Sequence, residues 1–440
     1  MNIKIYRPKI ESYSEKVDRM YPPSAKEKRT RQVTFKVTDD CNLRCTYCYQ
    51  TNKKKNSMSL EIGKKMIHYM FSAYDAGISY FKDANGIILD FIGGEPLLEI
   101  ELIDQLVDYY FSIAITQKHP WMERTMIHIC TNGILYFEKK VQQFLKKHQH
   151  HLSLSITLDG NQELHDKCRI FPDGSPSYDK VIKAVQTEMK RSSIWNLGTK
   201  ITISPDNLSY LYEAIIHMVN LGFAVIHANV VFEEGWEYSH ASLFYVQLKK
   251  IADYFLENNL TESVYCSLFE PNYFEPMEEE DNQNWCGGTG KMLACDTKGN
   301  FYPCIRYMET SLGSSVPELK IGDLKHGLGG TQDCASCIEK LEKITRRSQS
   351  TDHCYYCSIA KGCAWCSGYN YQVFGTPNKR ATYICVMHKA RALANAYFWN
   401  CYVKQKGITE RFLIHLSKEE ALKIISEIEY QLLKKLERCE

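Results

Sequence analysis

The chain has 440 residues, 44% hydrophobic and 24% charged, which is the balance of a folded protein too long for a single core, so about two to three domains are expected. Its 54 Lys and Arg against 52 Asp and Glu leave a net charge of +2, with no overall electrostatic draw toward nucleic acid or a membrane surface. No apolar run approaches the roughly 20 residues needed to cross a bilayer, and the opening MNIKIYRPKIESYSEKV lacks the apolar core of an export signal, so a cytoplasmic protein without a membrane partner is expected.

Residues 1–32 read as an amino-terminal extension. From 33 to 235, short β-rich runs alternate with longer helical stretches: Val33 to Thr38, Ile87 to Ile92, Met126 to Thr131, Leu152 to Leu158, Thr199 to Ile203 and Ala224 to Val230. Six such units predict an α/β domain of parallel strands, either an open sheet or a partial barrel, with reactive groups at the carboxyl ends of the strands. Every conspicuous motif of this half falls there. Cys41 to Cys48 follow the first strand, Gly93-Gly94-Glu95-Pro96 the second, Thr131-Asn132-Gly133 the third and Asp159-Gly160 the fourth. Residues 236–285 read as a connector, aromatic and acidic, with EPMEEEDNQ at 275–283 as a solvated stretch. Ten of the 18 cysteines then fall within 286–385, in a segment to 390 that its ligands would hold together more than a core. Residues 391–440 return to helix, with a capping box at Ser417 and Glu420 ahead of a stripe of Leu422, Ile425, Ile428, Leu432 and Leu436 that Cys439 extends.

The excess of cysteine, in a chain expected where thiols stay reduced, points to metal ligation over disulfides. Cys41, Cys45 and Cys48 make a C-x3-C-x2-C trio on one loop. Three thiolates fill three corners of a 4Fe-4S cube and leave one iron open, whereas structural zinc favours four ligands in two pairs. With Tyr47 just before the last cysteine, this stretch resembles the radical S-adenosylmethionine (SAM) superfamily. The resemblance implies a partial (β/α)6 TIM-type barrel whose open iron chelates SAM. One electron then splits the sulfonium to methionine and a 5'-deoxyadenosyl radical, which removes hydrogen from a C-H bond. It further implies that the carbonyls of Gly93 and Gly94, with Glu95 and Pro96 in the same motif, meet the SAM ammonium, and that Thr157 meets the ribose. Arg169 would touch SAM or substrate, and Ser204 is a further candidate contact. Asn132-Gly133 and Asp159-Gly160 read either as turns or as ligand contacts, and His165 receives no catalytic role.

The later cysteines, Cys286 with Gly299 and Cys304, then Cys354-x2-Cys357-x5-Cys363-x2-Cys366 and Cys385, resemble the SPASM domain appended to many radical SAM enzymes that act on peptides. That family spaces its third and fourth clustered cysteines by x3, where this chain has x2 before Cys366. The resemblance implies one auxiliary 4Fe-4S cluster on Cys286, Cys295, Cys304 and Cys366 and another on Cys354, Cys357, Cys363 and Cys385, three clusters in all. Were Cys295 not a ligand, the first auxiliary cluster would keep an open iron. The competing reading of the same pairs is a zinc ribbon. Cys334 and Cys337 form a further pair, open between redox partners, extra ligands and a plain loop, while Cys130, Cys168, Cys266 and Cys401 read as packed small residues.

An anaerobic sulfatase maturase would carry an acid directly after the Y-P-C cysteine, and here Ile305 and Arg306 follow Cys304, which argues against formylglycine formation. The stretch from Thr345 to Ala390 resembles maturases paired with precursors rich in C-x-x-x repeats. The expected function is therefore modification of a ribosomally made Cys-rich precursor peptide, with thioether formation favoured over a carbon-carbon crosslink or epimerisation. The non-enzyme alternative is an iron-sulfur electron carrier. Expected partners are the precursor and an external reductant such as flavodoxin or ferredoxin; since 32 residues are too few for a winged-helix domain ahead of the barrel, substrate capture falls to the catalytic face, to the 233–285 segment or to a separate leader-recognition protein.

Overall fold

Alternation of β-branched and polar residues in RTRQVTFKVT places Val33, Phe35 and Val37 on one face of strand β1 (Arg29–Thr38), each fully buried, where every such side chain contributes about 1.5–3 kcal/mol. The opposite face is polar, and Gln32 Nε2 and Thr34 Oγ1 each donate to Asp90 Oδ2 at 2.8 Å inside the barrel. The computed structural model describes residues 29–191, 199–233, 235–271, 273–278, 281–284, 286–314 and 316–438. Most of the expected amino-terminal extension, and Cys439, lie outside the described residues.

Strands β1, β2 (Ala84–Gly93), β3 (Thr125–Thr131) and β4 (Leu152–Ile156) pair in parallel and in order. A second parallel set joins β5 (Thr199–Ile203), β6 (Val225–Val230) and β7 (Tyr265–Cys266). Among the described residues no backbone ladder links β4 to β5. Side chains hold that seam: the Thr202 amide donates to Asp159 Oδ1 at 3.1 Å and Thr199 Oγ1 to the Leu158 carbonyl at 3.0 Å. All six expected strands form, and helices such as Leu60–Asp75 and Ile100–Thr116 cover their outer faces. This is the partial barrel that the sequence implies.

Three elements differ from expectation. The 236–285 stretch opens with a 20-residue helix, Tyr238–Glu257, and contributes β7, so it completes the barrel before any connector begins. The Cys-rich region is tied to the barrel by sheet: β8 (Leu293–Cys295) pairs in parallel with β1, β9 (Asn300–Tyr302) returns antiparallel, and the two-residue strands β10 (Gly322–Asp323) and β11 (Gly327–Leu328) follow. The tail forms two helices, Lys418–Leu422 and Glu427–Arg438. The break between them shifts the helical phase, so Ala421, Ile425, Leu433 and Leu436 are buried while Ile428 is 84% exposed. Ser417 caps the first of these helices as expected, accepting from the Glu420 amide.

A long helix, Cys385–Gln405, is buried on nearly every side and packs against Tyr238–Glu257. Tyr397 Oη donates to Asp253 Oδ1 at 2.6 Å across that contact, and the rings of Phe269 and Phe398 stand 4.5 Å apart. The Cys-rich segment is thereby laid over the carboxyl ends of the barrel strands.

Candidate active site

The loop after β1 carries Cys41, Cys45 and Cys48, and its course is set by backbone bonds to the end of the short helix Gln162–Cys168 and to the end of β2. Arg44 N donates to the Ile170 carbonyl and Thr46 N to the Cys168 carbonyl, while the Gly94 and Glu95 amides donate to the carbonyls of Thr38 and Asp40. A Cβ on Gly94 would lie 2.2 Å from the Asp40 oxygen and 2.8 Å from Cys41 Cβ, so glycine is needed here for close approach to the cysteine loop itself. Burial pushes the Cys41 thiol up to about 11 and raises Cys45 too, the latter against the pull of Arg169. Thiolates therefore form here when a metal takes them.

Glu95 is 1% exposed and its carboxylate is committed to protein donors: Thr131 Oγ1 at 2.6 Å, the Asn132 amide at 2.8 Å and the Leu97 amide at 3.0 Å. Burial raises its pKa against those bonds. It therefore ties the end of β2 to the end of β3, and Pro96 beside it starts a short 3-10 turn. The Gly93 carbonyl accepts from Gln50 Nε2 at 3.0 Å.

Tyr47 and Arg169 meet each other. Arg169 donates to Tyr47 Oη at 2.8 Å, Tyr47 donates to Asp159 Oδ2, and Arg169 lies 3.8 Å from the same carboxylate oxygen. Asp159 is fully buried, and burial pushes its carboxyl up against the pull of Arg169, the Tyr47 hydroxyl and the Thr202 amide. His165 steadies this group, accepting from the Asp159 amide at 3.3 Å and contacting Ser177 Oγ at 3.0 Å. Asp159, which in sequence is half of an ordinary Asp-Gly turn, is thus the keystone that fastens the cysteine loop to β4 and β5.

Above these strand ends lies a cavity of about 390 Å³, within the range that holds small-molecule cofactors. Cys41, Cys45, Tyr47, Cys48, Gly93, Gly94, Glu95, Thr157 and Arg169 all line it; Pro96 and Ser204 do not. Thr202, two residues before Ser204, takes the place on β5, while the Ser204 amide donates to Asn207. Two buried polar atoms of lining residues, Arg169 Nε and Gln50 Oε1, have no protein partner, which fits a polar ligand bound against them.

The far wall comes from outside the six strands. Glu233, just past β6, pairs with Arg306 Nη1 at 2.9 Å, and the Arg306 guanidinium stacks 3.9 Å from the Tyr49 ring centroid. Met387 and His388 reach in from the Cys385–Gln405 helix. His388 Nε2 lies 3.2 Å from the Ala364 carbonyl, and burial, with Arg391 and Arg380 nearby, pushes its pKa down to about 4. Spacing in sequence gives no hint of Glu233, Tyr49 or His388: His388 reaches the site through the packing of the Cys-rich segment over the barrel, and Glu233 and Tyr49 take up their roles there by meeting Arg306 of that segment.

The later cysteines form two groups. Cys363 lies within electrostatic reach of Cys354, Cys357 and Cys385, and Arg380 Nη1 approaches its sulfur at 3.9 Å. Cys385 opens its helix, and burial raises its thiol against the pull of Lys389. Cys304 lies within reach of Cys286 and Cys366. Cys295 stands apart from both groups, in β8 against Phe35 of β1. Each group offers closely set sulfur donors of the kind an iron-sulfur cluster takes.

Residues 35–215 match the Radical SAM superfamily. Over 367 residues the chain is 22% identical to the radical SAM cyclopropyl synthase TigE of Paramaledivibacter caminithermalis, covering 81% of this chain and 71% of that protein. In fold it is similar to native anSMEcpe with bound AdoMet and Kp18Cys peptide, with a TM-score of 0.60 at 17% identity, covering 86% of this chain and 100% of that one. It is also similar to Streptococcus suis SuiB bound to precursor peptide SuiA, with a TM-score of 0.54 at 12% identity, covering 79% and 74%.

Proposed function

We propose that this radical SAM enzyme, whose residues 35–215 match the superfamily, uses its SAM and 4Fe-4S cofactors to join a cysteine of a ribosomally made precursor peptide to a carbon of the same peptide as a thioether. The observation that carries the reading is the shared cavity, in which the cysteine loop faces residues of a second, Cys-rich module. Similarity in fold to proteins solved with bound peptides supports a peptide substrate, and the cysteines of the three expected clusters other than Cys295 are proposed as ligands.

When bound, SAM and the cluster on Cys41, Cys45 and Cys48 supply a hydrogen-abstracting radical. The chain's own residues do the rest. Asp159, Tyr47 and Arg169 fix the loop that presents the sulfurs, and Glu95 locks the neighbouring strand ends. Thr157 and Thr202 offer hydroxyls to the nucleoside from adjacent strands. Glu233, 36% exposed at the cavity wall, accepts the substrate thiol's proton, and Arg306 holds its carboxylate in place. Ile305 and Arg306 leave no acid directly after Cys304, which counts against formylglycine formation. An external reductant would supply the electron that splits SAM, and the electron released as the C–S bond replaces the S–H and C–H bonds would pass to an auxiliary cluster held by Cys286, Cys304 and Cys366.

The test is anaerobic co-expression with a Cys-rich reading frame encoded beside the gene. The expected product has lost two hydrogens and one alkylatable thiol per crosslink. A peptide that loses two hydrogens but keeps every thiol reactive has formed a carbon-carbon bond, cyclopropyl or otherwise, and the thioether reading is then wrong.

A further inference from the structure

Cys295 and Tyr307 occupy each other's expected circumstances. Cys295 is 0% exposed in β8, in register with Phe35 of β1 and Phe301 of β9, and its thiol donates to the Asp296 carbonyl at 3.6 Å. Among the described residues no other thiol lies within its electrostatic reach. Tyr307 is equally buried, yet its hydroxyl has no hydrogen-bond partner, and it lies within reach of Cys286, Cys304 and Cys366 together. Two of them, Cys286 and Cys304, share one narrow space with it. A Cβ on Gly288 would stand 3.3 Å from Cys304 Sγ, 3.5 Å from Cys286 Sγ and 3.3 Å from Tyr307 Cε2, the carbon beside the one that bears the hydroxyl.

A cube held by three thiolates leaves one iron short of a protein donor, and a buried hydroxyl without a partner is itself costly. Each deficit answers the other. Resting on the reading that this trio holds an auxiliary 4Fe-4S cluster, we infer that the Tyr307 oxygen is its fourth protein ligand and that Cys295 is a core residue. Cys337 is the competing donor, since it too lies within reach of Tyr307, but its own thiol neighbour is Cys334.

The full chain with Cys41, Cys45 and Cys48 changed to Ala isolates the auxiliary iron, about eight atoms for two cubes. In that background Cys295→Ala and Cys337→Ala should keep all the iron, and Cys304→Ala should lose about half. Tyr307→Phe should keep the iron, change the g values of the reduced clusters by electron paramagnetic resonance, and let added cyanide alter the spectrum, which the parent resists. If Phe costs the cluster itself, Tyr307→Cys, which supplies a thiolate, should restore the iron. Loss of about four irons in Cys295→Ala or Cys337→Ala overturns the inference. So does a Tyr307→Phe spectrum that matches the parent, a parent that responds to cyanide, or failure of Tyr307→Cys to recover iron that Phe has lost. None of these readings involves SAM cleavage or peptide mass, so they stand or fall separately from the proposed function.

Discussion

Replacing Asp159 with Asn keeps the shape of the side chain and removes a buried carboxylate 3.8 Å from Arg169 Nη1, whose own side chain is 9% exposed. Stranding one member of a buried pair costs about 3–5 kcal/mol, because the remaining charge keeps a neutral hydroxyl, that of Tyr47, in place of a countercharge or water. For a unit of roughly 200 residues that lowers the melting temperature by about 6–20 °C. Changing Arg169 to Met as well removes the stranded charge, so the double variant should melt within a few degrees of the parent, above Asp159→Asn alone. The assay is thermal unfolding of the apo chain, followed by near-ultraviolet circular dichroism, for both single variants and the double. An Asp159→Asn melt within about 2 °C of the parent, or a double variant no better than the sum of the singles, would refute the buried pair as the anchor of the cysteine loop.

Gly94→Ala should cost the amino-terminal cluster alone, reducing iron by about a third, because the new methyl would meet the Asp40 oxygen at 2.2 Å; full iron loading would count against it. His388 is predicted to make the apo chain acid-sensitive. Its ring titrates near 4 when folded and near 6.5 when unfolded, so between those values the unfolded chain binds more protons and stability falls as pH drops through the window. Melting at pH 7 and pH 5 checks this, and His388→Asn should flatten the difference by about 2 kcal/mol at most. Glu233→Gln should slow crosslinking at least about tenfold while SAM cleavage to 5'-deoxyadenosine persists, as measured by chromatography of both products; equal loss of the two would remove Glu233 from proton transfer.

The six strands were legible because β-branched alternation is a local signal, and the cysteine trio because its spacing is fixed within one loop. Tyr47 and Arg169 were marked as residues of the site, but their mutual contact through Asp159 was hidden, since Asp-Gly looks the same whether it closes a turn or anchors a loop. Ser204 misses the cavity, and Thr202 lines it, because the chain turns just after β5. The phase of the tail was lost at a helix break that carries neither Pro nor Gly. The β8 pairing was unreadable for a different reason: three residues carry no periodicity, and their partner lies far away in sequence.

That distant pairing bears on how the molecule is made. The edge of β1 has no neighbour on its outer side until a segment roughly 260 residues downstream emerges from the ribosome, a delay of about 13–50 s at ordinary rates of synthesis. For that interval a nascent chain presents an open strand rich in Val and Phe, the kind of edge that captures other chains. Yield from recombinant hosts should therefore respond to chaperone supply and slower growth before it responds to iron.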